Sequence, residues 1–228
     1  DKIVLVFGSN PVLSLNTNQG SIVIELFPTA TPITVNNFLN YVNDGDYVNS
    51  IFHRSVPGFV IQGGGFATPS DIFTNTNQFT AVPQDAQIMN EPGLSNLRGT
   101  IAMAKLGGQP NSATNQFFVN LSDSNTFLDS TNGGFTVFGQ VLDLTTVDRI
   151  EDIPVNMSNA SPFNELPVTT DNRLVVIESL VGQGNLTGVK FLDANNNGVR
   201  DMGEAGIAGV SVYIDANNNG MLDSGEIS

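Results

Sequence analysis

A chain of 228 residues with 40% hydrophobic residues and 15 phenylalanines can bury one core of ordinary size plus a small appendage, which excludes global disorder. Its formal net charge of −14, with only 8 Lys and Arg, leaves no basic face for nucleic acid or an anionic membrane. Without cysteine there is no disulfide or thiolate metal site, and no apolar run approaches the roughly 20 residues of a membrane-spanning helix.

The opening DKIVLVFGSN carries no signal-peptide pattern, so an exported protein would stand here in mature or trimmed form. VLSLNTNQGSIVIELF (residues 12–27) predicts two β-strands joined by the turn NTNQG. TPITVNNFLNYVNDG predicts a helix with Thr31 as N-cap, Pro32 at the first position and Gly45 as C-cap. Val35, Phe38, Leu39 and Val42 recur along it at helical spacing. From Gly65 to Glu91 the polar, Asn/Thr/Pro-rich chain predicts long loops. Gly99–Ala104, Gln116–Leu121 and Phe135–Leu142 then read as short strands between Gly and Asn turns, the pattern of an all-β barrel or sandwich. Asp143 is placed to cap a second helix through TTVDRIEDI, with Val147 and Ile150 on one face. RLVVIESLV (173–181) reads as a last buried strand. The linker GQGN (182–185) then divides a first domain, 1–182, from a second, 183–228.

FHRSVPGFVIQGGGF (52–66) sets the single histidine, His53, beside Arg54 and ahead of three glycines. Gln62 offers an amide there, and AMAKLGGQPNSATNQFFVN adds Met103, Gln116, Phe117 and Phe118. One histidine without a neighbouring nucleophile gives no Ser–His–Asp arrangement, and its surroundings do not resemble a histidine metal site. Composition alone makes the phenylalanines core and Arg54 a surface residue.

FHRSVPGFVIQGGGF also resembles the signature segment of the cyclophilins, the peptidyl-prolyl cis-trans isomerases. The similarity runs from about Leu13 to Val181 through GSIVIELFPTATPITVNNF, NEPGLSNLRGTIAMA, SATNQFFVN, FLD and VFGQV, and is greatest to the bacterial, often exported, branch. The resemblance implies a mainly β fold: a closed eight-stranded antiparallel barrel capped by two α-helices, with an exposed groove on its wall. It puts Arg54 at the catalytic arginine, with Phe59, Gln62 and Gln116 beside it. Phe59, Val60, Met103, Phe118 and Leu128 fall on the pocket for the proline ring, and Gln62, Ala104 and Gln116 on positions that hold the peptide backbone. Phe127, Phe135 and Lys105 also fall on substrate-binding positions. There, many members have tryptophan, histidine (tyrosine in exported bacterial members) and asparagine, respectively. The implied substrates are proline-containing polypeptides, catalysis needs no cofactor, and His53 supports the fold.

The tail carries a repeat. DANNNGVRDMGE (193–204) returns as DANNNGMLDSGE (215–226), and both fit the calcium-loop pattern D-x-[DN]-x-[DN]-G-x5-E. Asp193, Asn195, Asn197, the Val199 carbonyl, Asp201 and Glu204 supply hard oxygen donors, as do Asp215, Asn217, Asn219, the Met221 carbonyl, Asp223 and Glu226. The flanks LTGVKFL and IAGVSVYI are β-like, unlike the helices of an EF-hand. The segment resembles part of a calcium-binding B-type repeat of serine-aspartate-repeat surface adhesins, a small β module with structural Ca²⁺. A monomeric prolyl isomerase acting on exported proteins, itself secreted, periplasmic or at the cell surface, is the leading expectation. The alternatives are a catalytically weak proline-peptide-binding module on a calcium-stabilised surface protein, and a structural role defined by the calcium module.

Overall fold

The computed structural model describes residues 2–7, 10–183 and 186–191. The chain divides into two compact units, Asn10–Gly184 and Asp1–Ser9 with Asn185–Ser228. In the second, β1 (Lys2–Phe7) pairs antiparallel with a strand over Leu186–Phe191, and both calcium loops of the sequence reading lie outside the described residues.

In the larger unit the apolar runs form β2 (Val12–Thr17), β3 (Gly20–Leu26), β4 (Ser50–Val56), β5 (Val60–Ala67), β6 (Thr80–Ala81), β7 (Thr100–Met103), β8 (Phe117–Asn120) and β9 (Val137–Val141). Short β10 (Val155–Asn156) and β11 (Leu166–Pro167) pair with each other, and β12 (Ile177–Gln183) follows. The main sheet runs β12-β2-β3-β9-β7-β8-β5-β4, antiparallel throughout, with β6 attached to β5. Its ends meet where the Asn49 and Phe52 amides donate to the Ile177 and Val175 carbonyls at 2.8 and 3.0 Å. The expected eight-stranded antiparallel barrel is therefore present and nearly closed.

Strand alternation sorts side chains between the barrel interior and its wall. Ile61, Ile101, Met103, Phe117, Val119 and Phe138 join the interior core, whereas Val60, Ala102, Phe118 and Val137 form a separate cluster with Leu128. These strands, β5, β8, β7 and β9, are neighbours in the sheet, so their wall-facing residues make one continuous apolar face.

Helix α1 (Pro32–Asp44) turns Val35, Phe38 and Tyr41 into the core and ends at Gly45 in the left-handed region, φ 77°, as expected from the sequence. Its N-terminus differs from expectation. Thr31 sits at the N-cap, but its hydroxyl donates to the Phe27 carbonyl at 3.2 Å and makes no cap bond. Glu91 replaces it: its carboxylate accepts from the Ile33 and Thr34 amides at 3.1 and 2.8 Å and from the Thr34 hydroxyl at 2.8 Å. That satisfies two orphan donors and places negative charge at the positive end of the helix dipole. Glu91→Ala is expected to lower stability by about 1–2 kcal/mol, read as a shifted urea midpoint at unchanged slope. A shift equivalent to less than about 0.3 kcal/mol would contradict a capping role.

Helix α2 (Thr145–Glu151) buries Val147 and Ile150; its N-cap position is Leu144 rather than the expected Asp143, which stands one residue earlier and accepts from the Thr145 amide at 3.0 Å and hydroxyl at 2.7 Å. The loop expected from Gly65 onward begins later, because β5 continues to Ala67, and β6 and a 3-10 turn at Thr76–Gln78 interrupt it. Glycine usually weakens a strand, but here close approach requires it. A Cβ on Gly64, at φ +80°, would lie 2.7 Å from the Asn115 carbonyl, and one on Gly65 would lie 2.7 Å from the Gln116 side chain.

Candidate active site

A β-bulge decides which way the arginine points. Phe52 pairs with Gly63 and Arg54 with Gln62, so β4 advances two residues while β5 advances one, and His53 is the extra residue. Without the bulge Arg54 would share the inward face of Phe52. With it, Arg54 and Gln62 lie paired on the wall.

There they meet the apolar cluster. Arg54, Gln62, Phe59, Val60 and Phe118 line a cavity of about 200 Å³, completed by Ala104, Lys105, Leu128 and Phe135. The Arg54 guanidinium carbon lies 5.7 Å from the centroid of the Phe59 ring. Phe59 stacks on Phe127 at 5.9 Å and 19°, which makes the half-exposed Phe127 a rim to the cavity, while Phe118 meets Phe135 edge-on at 5.7 Å. Gln62 Nε2 donates to Gln116 Oε1 at 2.9 Å. That pair leads to a second, polar cavity of about 290 Å³, which shares Gln62, Ala104 and Lys105 with the first and adds Gln84, Gln87 and Ser112. An apolar recess beside amide donors and acceptors suits a proline ring with its flanking peptide backbone.

Met103 does not join the site. It is fully buried in the interior core, because on β7 it shares the inward parity of Ile101, while Ala102 and Ala104 face the wall. The alternation in TIAMA carries that information. Lys105 lines both cavities, yet its ammonium is committed to the loop beside them. It donates to the Asn132 carbonyl at 3.1 Å and to the Gly134 carbonyl, and stands 4.7 Å from the Phe135 ring centroid. Partial burial lowers its pKa.

Sequence reasoning missed the polar scaffold beneath the groove. Asn120 donates to Asn96, Asn125 to Asn120, and Asn125 also to the Phe59 carbonyl at 2.7 Å. Asn96 in turn donates to Asp129 and to the Phe135 carbonyl. All three asparagines are buried, so each bond replaces water that burial removes, and together they fix the backbone of two groove residues. Nothing in the sequence pattern distinguishes these asparagines from turn residues.

His53 is 2% exposed, edge-on to Phe66 at 5.0 Å, with Nδ1 lacking a partner among the described residues. Burial, and secondly the neighbouring Arg54 charge, lower its pKa from 6.5 to about 4 against a smaller opposing effect of the Ile51 carbonyl. The unfolded chain thus takes up this proton near pH 6.5 and the folded chain only near pH 4. Stability from this group is complete above about pH 6.5 and falls as pH drops towards 4, by up to roughly 3 kcal/mol. Urea midpoints at pH 7 and 4.5 should therefore differ more in the native chain than in His53→Leu. Equal differences in the two would contradict the burial of a neutral imidazole.

Among the described residues no group of three or more His, Cys, Asp or Glu side chains could hold a metal ion, and no helix is long and apolar enough to cross a membrane. The sequence profile of the family described as cyclophilin type peptidyl-prolyl cis-trans isomerase/CLD matches residues 12–172. The chain is 42% identical over 151 residues to a peptidyl-prolyl cis-trans isomerase of Acinetobacter baylyi, a match covering 65% of this chain and 76% of the relative. It is also 42% identical over 153 residues to peptidyl-prolyl cis-trans isomerase B of Escherichia coli, covering 64% and 88%. In fold it is similar to the crystal structure of a Cryptosporidium parvum cyclophilin type isomerase, with a TM-score of 0.58 and 26% identity over 77% of this chain and 99% of the other. These relatives favour an enzyme over a catalytically weak binding module. By profile, relatives and barrel together, the chain belongs to the cyclophilin-type peptidyl-prolyl cis-trans isomerases.

Proposed function

We propose that the groove binds an X–Pro segment with the proline ring in the apolar cavity, and that Arg54 accelerates rotation about the bond before it. The observation that carries this is the bulge-set pairing of Arg54 with Gln62 at the edge of an apolar cavity. Peptide rotation faces about 18–20 kcal/mol because resonance ties the nitrogen lone pair to the carbonyl. Twisting the bond localises that lone pair on the proline nitrogen. A guanidinium directed at it binds the twisted state better than either planar state, which is the condition for catalysis. Arginine suits the role because it stays charged and its donors form a fixed fork. The apolar neighbours lower the local dielectric and strengthen that interaction. Gln62 and Gln116 hold the substrate backbone, Ala104 contributes to the groove wall, and Phe127 and Phe135 bound the ring pocket. No bond breaks, so no nucleophile, base or cofactor is required.

A second solved structure of the Cryptosporidium enzyme was obtained in the presence of the dipeptide Ala-Pro, which fits proline-containing polypeptides as the substrate class. A peptide containing Ala-Pro should compete with an X–Pro reporter, whereas its Ala-Ala counterpart should not. Equal competition by the two would sink the proline-pocket assignment.

We place the C-terminal junction between isomerase and tail at residues 182–185, with residues 1–9 grouped with the tail instead of with the first domain to which the sequence reading gave them. The paired 12-residue loops of the tail present two full sets of oxygen donors, which supports structural calcium and, with it, an extracellular, periplasmic or surface location where calcium is abundant. The catalytic unit is read as a monomer. Calcium added to the full chain should bind in calorimetry and raise a melting transition, as a ligand of the native state must. No heat and no shift would remove calcium from the description.

A further inference from the structure

The Arg54 side chain is long, and something must hold its guanidinium in one orientation. We infer that Glu165 is the positioning residue for Arg54, clamping the guanidinium through Nε so that its two terminal nitrogens face the groove. This rests on the reading of Arg54 as the catalytic group.

Glu165 Oε2 accepts from Arg54 Nε at 2.6 Å, the only ion pair Arg54 makes among the described residues. The contact uses one carboxylate oxygen and the inner nitrogen. It therefore leaves the terminal nitrogens without a protein acceptor among the described residues, whereas a bidentate fork would have consumed one of them. Glu165 is itself anchored from both sides. Its carbonyl accepts from the Ser55 amide at 2.8 Å, next to Arg54 in the chain, and the following residue, Leu166, is fully buried with Ile51, Leu174 and Val176. β11 further ties that segment to β10. The carboxylate therefore comes from a turn residue immediately before β11, held by that strand and by the Ser55 amide, 111 residues away in sequence.

As a stability device such a pair is worth little, since its side chains are 31% and 28% exposed and partly solvated. Its consequence is geometric. A misplacement of about 1 Å at a reacting centre can cost on the order of 10²-fold in rate, so a fixed Nε contact has leverage on turnover out of proportion to its effect on folding.

The test uses the full chain and an X–Pro reporter peptide, with kcat and KM resolved by varying peptide. Glu165→Ala is expected to lower kcat about tenfold, equivalent to about 1.4 kcal/mol in the barrier, with KM within about twofold of the parent. Glu165→Gln, whose amide oxygen still accepts from Nε at the same reach, should stay within about threefold of the parent. In an Arg54→Ala background, Glu165→Ala should cause no further loss. An unchanged or faster Glu165→Ala overturns the inference, and so does an equal loss with and without Arg54, which would mark a structural role. Full activity in Arg54→Ala would instead overturn the reading of Arg54 itself, and the positioning role with it.

Discussion

Arg54→Ala is expected to lower kcat/KM for an X–Pro reporter by about 100-fold or more, the effect typical of removing one preorganised charge-stabilising donor. The fold should persist, because the Arg54 side chain is about one-third exposed and contributes one partly solvated ion pair and a contact with Phe59. The loss should lie mainly in kcat, since a guanidinium directed at the twisted nitrogen acts in the transition state more than in the ground state. Arg54→Lys should recover only part of the rate. An ammonium keeps the charge but lacks the planar fork, and it has no Nε through which Glu165 could hold it. Equal rates for Arg54→Ala and the parent would remove this residue from the mechanism.

Phe117→Ala is expected to be the most damaging single change to stability, at about 3–5 kcal/mol. The ring is fully buried and meets Phe38, Tyr47 and Phe52 edge-on at 5.6, 5.5 and 6.1 Å, so it joins α1, β4 and β8 in one aromatic cluster. Truncation leaves a cavity that these three packed elements cannot close. Against a total stability of about 5–15 kcal/mol, such a loss populates the unfolded chain at moderate temperature. Its neighbour Phe118 faces the groove instead, so Phe118→Ala should lose reporter binding more than stability. Denaturant midpoints and KM for both variants check the pair. A loss under about 1.5 kcal/mol for Phe117→Ala would contradict the interior packing.

The contrast between these adjacent phenylalanines marks what the sequence makes legible. Alternation in GSIVIEL and the helical spacing of Val35 and Phe38 set β3 and α1 by local physics, and Gly45 takes the left-handed cap that its missing Cβ permits. Asp143 satisfies the first amide of α2, from one residue before the cap position, because the two are neighbours in sequence. Where partners are distant, local signals fail. Glu91 caps α1 from 58 residues away, and Glu165 reaches Arg54 across 111. The resemblance collected most of the groove residues, but it assigned Met103 without regard to strand parity, and β7 turns that side chain inward. The outward aim of Arg54 itself depends on a bulge, and a one-residue offset between strands leaves no compositional trace.

The most direct measurement is the cis–trans exchange rate of an Ala-Pro peptide, followed by NMR exchange spectroscopy with and without the intact chain. Uncatalysed exchange takes tens to hundreds of seconds. Expected is exchange accelerated by orders of magnitude at substoichiometric protein, with the acceleration lost in Arg54→Ala. Peptide that binds in the groove yet exchanges at the uncatalysed rate would contradict catalysis by this site.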